Sequence, residues 1–228
     1  LTIPYAEQCV ESTDPIVRKC VVQAYRENPT LARVERLDQM LSDPHPDVRI
    51  PARFALRRLA NENDRFDKRI RELGMKTINS SPSDIRALEQ SLILLAALDH
   101  KATANRAVEL LEHGHPKISV TAAWSLRVLN VESTFRKMLN YATATSQELF
   151  RLSRNEENVM PADQMDQIAH LFDSFGVSGY DYAEDLMRKF VPKNSLMSGN
   201  SRAAAITALG KFYQGQSDND LVPILIRC

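Results

Sequence analysis

A turn followed by a helix recurs along this chain, and this repetition constrains the fold more than any other feature. Its clearest copy is the segment 43–49, with the sequence DPHPDVR, which opens a helical stretch ending at residue 60. Looser copies follow Thr13, Ser80, His113, Pro161 and Ser198. A sequence period of a few tens of residues is typical of proteins built from stacked structural units. The chain is therefore expected to fold as a series of similar units.

The second helix of each copy carries a regular pattern of apolar residues. In the second copy these are Val48, Ala52 and Leu56, and residues four and eight positions apart share one face of a helix. The aligned copies start at Val17, Val48, Ile85, Ile118, Met165 and Ser201, which are 31 to 47 residues apart. Further helices are predicted between them, at 31–41, 102–112, 132–142 and 180–191. No segment shows the alternation of a half-buried strand. The sequence predicts an all-α fold of about six helical-hairpin repeats.

An acidic residue in the turn and an arginine early in the following helix accompany this pattern. The pairs are Asp43 with Arg49 in the second copy, Asp14 with Arg18 in the first and Asp84 with Arg86 in the third. The pattern resembles the HEAT repeat, particularly the short form found in bacterial proteins and in phycobilisome-lyase-like repeats. The resemblance implies an α–α superhelix, a HEAT-like solenoid, in which such Asp and Arg residues form a ladder between units. It says much more about fold than about function.

The spacing of the copies also predicts the organisation of the chain. Residues 1–228 are expected to form a single HEAT-like domain. The apolar stretch 219–228 has no following helix to cover it, so we expect the chain to be a segment of a longer protein. The late start of the fifth copy leaves 143–162 as an insertion, with a short helix at 147–154 and a polar stretch at 155–158. Insertions in repeat proteins map to loops on one face, often the binding face.

The charge of the chain is balanced overall but unevenly distributed. There are 29 Lys and Arg against 29 Asp and Glu, so the formal net charge is zero. Positive residues concentrate in 49–76, and negative residues concentrate in 155–185. Such runs form either solvated faces or binding surfaces. Because phosphate-binding proteins usually carry an excess of positive charge, the overall balance argues against nucleic acid as the partner.

The sequence lacks the motifs that are typical of common enzyme classes. It has no Gly-rich phosphate loop, no G-x-S-x-G elbow and no His-Glu-x-x-His motif. It also lacks the His-Glu pairs that supply iron ligands in HEAT-repeat hydroxylases. His113 and His115 flank a glycine, but two histidines make an incomplete metal site. We therefore expect no enzymatic activity, no cofactor and no bound metal.

The cysteines and the hydropathy bear on the compartment. Cys9, Cys20 and Cys228 are too few and too widely spaced for a disulfide framework or a zinc site, which favours a reducing compartment such as the cytoplasm. No apolar run has the roughly 18 residues of a membrane span. The chain begins at Leu1 instead of Met, so a removed signal peptide stays open as an alternative.

The resemblance to HEAT repeats implies that the second helices line a concave surface. The residues expected to bind a partner there are Arg53, Arg57, Trp124 and Arg127. Aromatic and arginine side chains are chosen because they dominate the binding energy of protein interfaces. Trp124 has an alternative role in the core, the role also expected of Phe54 at the matching place in the second copy. The predicted function is a non-catalytic scaffold that binds another protein or another domain of its parent chain.

Two other functions remain open at this point. The resemblance to phycobilisome-lyase-like repeats allows a small-ligand-binding lyase or a chaperone-like protein, which would need an acidic or nucleophilic side chain inside the concavity. The third hypothesis is a DNA-binding HEAT-like protein. It is suggested by Arg49, Arg53 and Arg57, which are spaced four residues apart and share one helical face. Phosphate contacts weaken steeply with salt, so salt-dependent retention on DNA would distinguish DNA binding from protein binding.

Overall fold

The computed structural model describes residues 2–80, 84–154, 159–192, 199–215 and 222–223. Within these residues the regular structure is helical, with no strand, which confirms the all-α prediction. The helices are α1 Ile3–Gln8, α2 Pro15–Glu27, α3 Leu31–Gln39, α4 Pro46–Glu62, α5 Asp64–Asn79, α6 Ile85–Ala97, α7 Thr103–Leu110, α8 Pro116–Leu129, α9 Phe135–Leu152, α10 Ala162–Ser178, α11 Glu184–Arg188 and α12 Gly199–Phe212. The chain divides into two compact units, Leu1–Arg106 and Ala107–Cys228.

The recurring turn starts its helices by side-chain capping. Asp14 Oδ1 accepts a hydrogen bond from the N–H of Ile16, at 2.8 Å. In the turns before α4 and α8, His45 and His115 take the same role through Nδ1. In all three cases a proline follows at the first helical position, where its missing N–H costs nothing. The repeated turn is therefore a helix-start signal.

In the first unit, α4 lies between α2 and α6, and α3 and α5 pack beside them. In the first two copies the predicted small position and the apolar position four residues after it are buried, and Ala52 and Leu56 of α4 are both fully covered. The third copy is one residue out of register. Asp84 caps α6 directly before Ile85, so Leu88 and Leu92 occupy the buried positions that the alignment had given to other residues.

The charged residues of the turns have different partners from those that the sequence pattern predicts. Arg18 donates from Nε and Nη2 to both carboxylate oxygens of Asp43, at 2.7 and 2.8 Å, and so links α2 to the turn before α4. Burial raises the pKa of Asp43, but the hydrogen bonds from Arg18 and from the N–H of His45 outweigh it and hold the pKa below its ordinary value. Arg49 instead donates to the carbonyl oxygens of Asp43 and Pro44.

In the second unit, α10 lies between α8 and α12. Its buried face is rich in aromatic and aliphatic side chains, and Phe172 and Phe175 are fully covered. Gly176 permits the closest approach of α10 and α12, since a Cβ at this position would lie 2.6 Å from the Cα of Ala208. Phe172 and Phe190 meet edge to face at 5.0 Å between ring centroids. Aromatic packing therefore holds α10 against the segment that follows α11, and Gly176 lets α12 lie close to α10.

The segment predicted as an insertion is largely helical. α9 runs from Phe135 to Leu152 without a break, so residues 143–152 extend the preceding helix, and the expected separate helix at 147–154 is not separate. Ala142, Ser146 and Leu149 are buried, which shows that the covered face of α9 continues through this part. The polar stretch 155–158 and the apolar stretch 219–228, except residues 222–223, lie outside the described residues.

Candidate functional site

A groove of about 480 Å³ runs between α2 and α4 in the first unit. Val22, Pro51 and Ala55 form its apolar floor, and Val22 and Ala55 are almost completely buried. Lysine, glutamine and arginine side chains surround this floor, and Phe54 stands beside it. An apolar floor within a polar rim is the usual composition of a binding groove. We call this feature the α2–α4 groove.

Phe54 is the most unusual side chain of the α2–α4 groove. It is 55% exposed, although burying a phenylalanine contributes about 1.5–3 kcal/mol. Pro51 and Phe54 are three residues apart and share one side of α4, whereas Ala52 and Leu56 face the core. The expectation that Phe54 fills the core is therefore wrong. The same helix places the ring at the surface, where it is available to a binding partner.

The rim of the α2–α4 groove is positively charged. Lys19 and Arg26 come from α2, and Arg58 comes from α4. Arg58 donates to Glu62 at 2.7 Å through Nε, and Arg26 lies 3.5 Å from Glu27. Lys19 makes no ion pair with another residue in the described part of the chain. The rim therefore retains cationic donors that face solvent.

Arg53 lies on the opposite side of α4, toward α6. Its Nη1 donates to Oε1 of Gln90 at 2.8 Å, and Gln90 is only 4% exposed. The pKa of Arg53 is lowered, mainly by burial. The neighbouring charge of Glu89 opposes this shift, and that of Arg57 adds to it. The Arg53 guanidinium also lies 5.1 Å from the centroid of the Phe54 ring, within the range of a cation–π interaction. Arg53 thus connects α4 to α6 and supports Phe54, which is a structural role.

Arg57 is exposed one turn after Arg53, so the two predicted arginines share a helix and differ in accessibility. The other two predicted residues, Trp124 and Arg127, lie on α8 in the second unit. Trp124 is partly buried, and Arg127 donates to Asp173 of α10 at 2.9 Å. Within each unit the structure therefore places two predicted residues on one helix, with one of them bonded to a neighbouring helix.

A second cleft, of about 320 Å³, lies between α10 and α12. Asp166, His170 and Asp173 line it from α10, and Asn200 donates to Asp166 at 3.3 Å. Burial lowers the pKa of His170; Arg127 lowers it further, and both aspartates raise it. The imidazole is therefore mainly neutral at pH 7. The carboxylates of this cleft are already engaged, one by Asn200 and one by Arg127.

The histidine pair in the turn before α8 has a structural role. Nδ1 of His113 accepts from the N–H of His115 at 3.1 Å, and Nδ1 of His115 accepts from the N–H of Lys117. Among the residues that the structure describes, no three His, Cys, Asp or Glu side chains are grouped as a metal ion would require. Over the same residues, every helix is too short or too polar to cross a bilayer.

Comparisons with known proteins add little to this description. No known family profile matches the chain, and no curated protein sequence matches it. Among solved structures, it resembles the crystal structure of an engineered protein from the Northeast Structural Genomics Consortium, at 15% sequence identity and a TM-score of 0.45. That alignment covers 93% of this chain and 96% of the other. The all-α assignment rests on the helices of the chain itself.

The α2–α4 groove contains residues that the sequence prediction missed, namely Lys19, Pro51, Phe54 and Arg58. A signal for them exists in the helical spacing. Pro51, Phe54 and Arg58 occur at i, i+3 and i+7, the spacing of one helix face, and this face differs from the core face.

Proposed function

We propose that this protein is a non-catalytic, HEAT-like helical-repeat scaffold that binds another protein, or another domain of its parent chain, in the α2–α4 groove. The exposure of Phe54 beside an apolar floor is the observation that carries the proposal. Aromatic side chains in partly enclosed apolar surroundings supply much of the binding energy at protein interfaces.

The arrangement of helices supports a repeat architecture in the first unit. Successive second helices are neighbours, with α2 beside α4 and α4 beside α6. The bidentate pair of Arg18 and Asp43 joins one copy of the repeat to the next. Both observations fit the ladder that the HEAT resemblance implies. A partner would therefore meet side chains that are already held in place, which reduces the entropy lost on binding.

The positioning of Phe54 fits this mode of binding. Arg53 covers the ring from one side and is itself held by the buried Gln90. Pro51, at the floor of the groove, has a fixed φ angle and no side-chain polar atom. The ring therefore forms the wall of a preformed groove. A large apolar side chain of a partner would be covered by Phe54 and by the floor.

A peptide-display selection tests the proposal without knowledge of the natural partner. Random 12-residue peptides are selected on the full chain, and the enriched peptides are measured against Phe54→Ala and Tyr5→Ala. Tyr5 is the matched control because it is an aromatic residue of the same unit with 56% exposure, and it lies outside the groove.

Removal of an interface aromatic typically costs about 2 kcal/mol, so Phe54→Ala should weaken peptide binding about 10- to 30-fold. Tyr5→Ala should leave the dissociation constant within about twofold of the wild type. The proposal fails if no peptide is enriched, or if the enriched peptides bind Phe54→Ala as well as the wild type.

A further inference from the structure

We infer that the α2–α4 groove takes an acidic segment in which one large apolar side chain lies between two carboxylates. This inference rests on the proposed function and adds the chemistry of the partner. It follows from the order in which charged and apolar side chains occur along the two helices that form the groove.

On α2, the residues that face the groove alternate in character along the helix. Lys19, Val22 and Arg26 occur at i, i+3 and i+7, so an apolar residue lies between two cations on one face. On α4, Pro51 and Phe54 precede Arg58 with the same spacing. The groove therefore has an apolar centre with positive charge at its ends. A partner with the complementary order is apolar in the middle and negative at both ends.

The local charge balance favours an acidic partner. Three cationic side chains line the groove, Lys19, Arg26 and Arg58, and its lining contains no acidic side chain. Arg58 donates a hydrogen bond to Glu62 through Nε alone. The two terminal nitrogens of its guanidinium make no hydrogen bond to another described residue. Guanidinium groups bind carboxylates through paired N–H donors. The groove thus presents donors to carboxylates that arrive from solvent.

The distance along α2 sets the spacing of the carboxylates. Lys19 and Arg26 are seven residues apart, which corresponds to about 10 Å along a helix axis. An extended peptide advances about 3.3 Å per residue. Side chains two positions apart share one face of an extended peptide, so acidic residues four positions apart, about 13 Å, can flank an apolar side chain on the same face. The long side chains of Lys19 and Arg26 can reach carboxylates at that separation. A single-stranded nucleic acid also offers negative charge, but its successive bases stack on several aromatic side chains, and the lining of the groove contains one, Phe54.

Binding of three labelled peptides and one oligonucleotide tests the inference. The first peptide has tryptophan midway between two glutamates four positions apart, the second replaces both glutamates with glutamine, and the third replaces the tryptophan with alanine. A single-stranded dT oligonucleotide serves as the nucleic-acid probe. Fluorescence anisotropy is measured with the full chain at about 50 and 300 mM salt, since screening separates charge from apolar contributions.

We expect the acidic tryptophan peptide to bind at least tenfold more tightly than either relative at low salt. The double variant Lys19→Glu with Arg58→Glu should reverse the preference between glutamate and glutamine peptides. The matched control is Lys68→Glu, an exposed lysine of α5 outside the groove, which should keep the wild-type preference.

The outcomes separate this inference from the proposed function. If the glutamine peptide binds as tightly as the acidic one and Phe54→Ala abolishes both, the acidic-segment inference is wrong while the groove remains a protein-binding site. If the oligonucleotide binds more tightly than every peptide, or if no peptide binds the wild type, the inference is overturned. The peptide selection above then decides the proposed function independently.

Discussion

Replacement of Asp38 by asparagine should stabilise the first unit at neutral pH. Asp38 lies on α3, where burial raises the pKa of its carboxyl from 3.8 to about 6; Arg69 and Lys76 oppose the shift, and Glu35 adds to it. A difference of about two between folded and unfolded pKa values corresponds to about 3 kcal/mol. Because the pKa is raised on folding, the folded state holds the proton more strongly, and stability falls as pH rises from about 4 to about 6.

Asparagine has nearly the same shape and no charge, so Asp38→Asn should remove this pH dependence. We expect a gain of about 1–3 kcal/mol at pH 7.5 and little change at pH 4. Urea unfolding followed by circular dichroism gives the free energy at each pH, and amide exchange of Val34 and Leu37 reports on α3 directly. Asp47→Asn is the control, since the Asp47 carboxylate is exposed in the first turn of α4 and its loss should destabilise only slightly. A stability loss at pH 7.5 for Asp38→Asn would refute the reasoning.

Two further substitutions, one in each unit, test the packing of the helices, and both are measured by urea unfolding. Asp43→Asn should cost about 2–4 kcal/mol at pH 7, because it leaves the partly buried Arg18 without its carboxylate, and the difference should shrink below about pH 4 as Asp43 protonates. An equal cost for the exposed Asp47→Asn would contradict this. Gly176→Ala should cost at least about 1–3 kcal/mol, because its Cβ would meet the backbone of α12. Gly210→Ala, with open space around its Cβ, should be neutral or stabilising by up to about 1 kcal/mol, and a similar loss for both variants would refute the argument.

The sequence was sufficient to predict the fold class and most helix starts. Turn residues and prolines act locally, so their effect can be read without knowledge of the neighbours. The third copy was misaligned because Asp84 caps α6 directly and no proline marks the start. The length of α9 was missed because Ser146 places a polar residue on a buried face and interrupts the apolar pattern.

The candidate site was harder to predict, since it depends on contacts between helices. The sequence identified Arg18 and Asp43 as ladder residues, but each has an acidic or basic neighbour in its own copy, and only packing decides the pairing. Arg53 was predicted to bind a partner, but its hydrogen bond to the buried Gln90 of α6 gives it a supporting role that only the packing of α4 on α6 shows. Phe54 was assigned to the core because its exposure depends on which face of α4 meets α2.

The most direct test of protein binding in the α2–α4 groove is a chemical-shift titration. The ¹⁵N-labelled chain of 25.8 kDa is titrated with a peptide enriched in the peptide-display selection, and amide shifts are followed residue by residue. The account predicts that the largest shifts fall on Val22, Phe54 and Ala55, and that Phe54→Ala abolishes them. Shifts confined to residues outside α2 and α4, or an unchanged spectrum at saturating peptide, would contradict it.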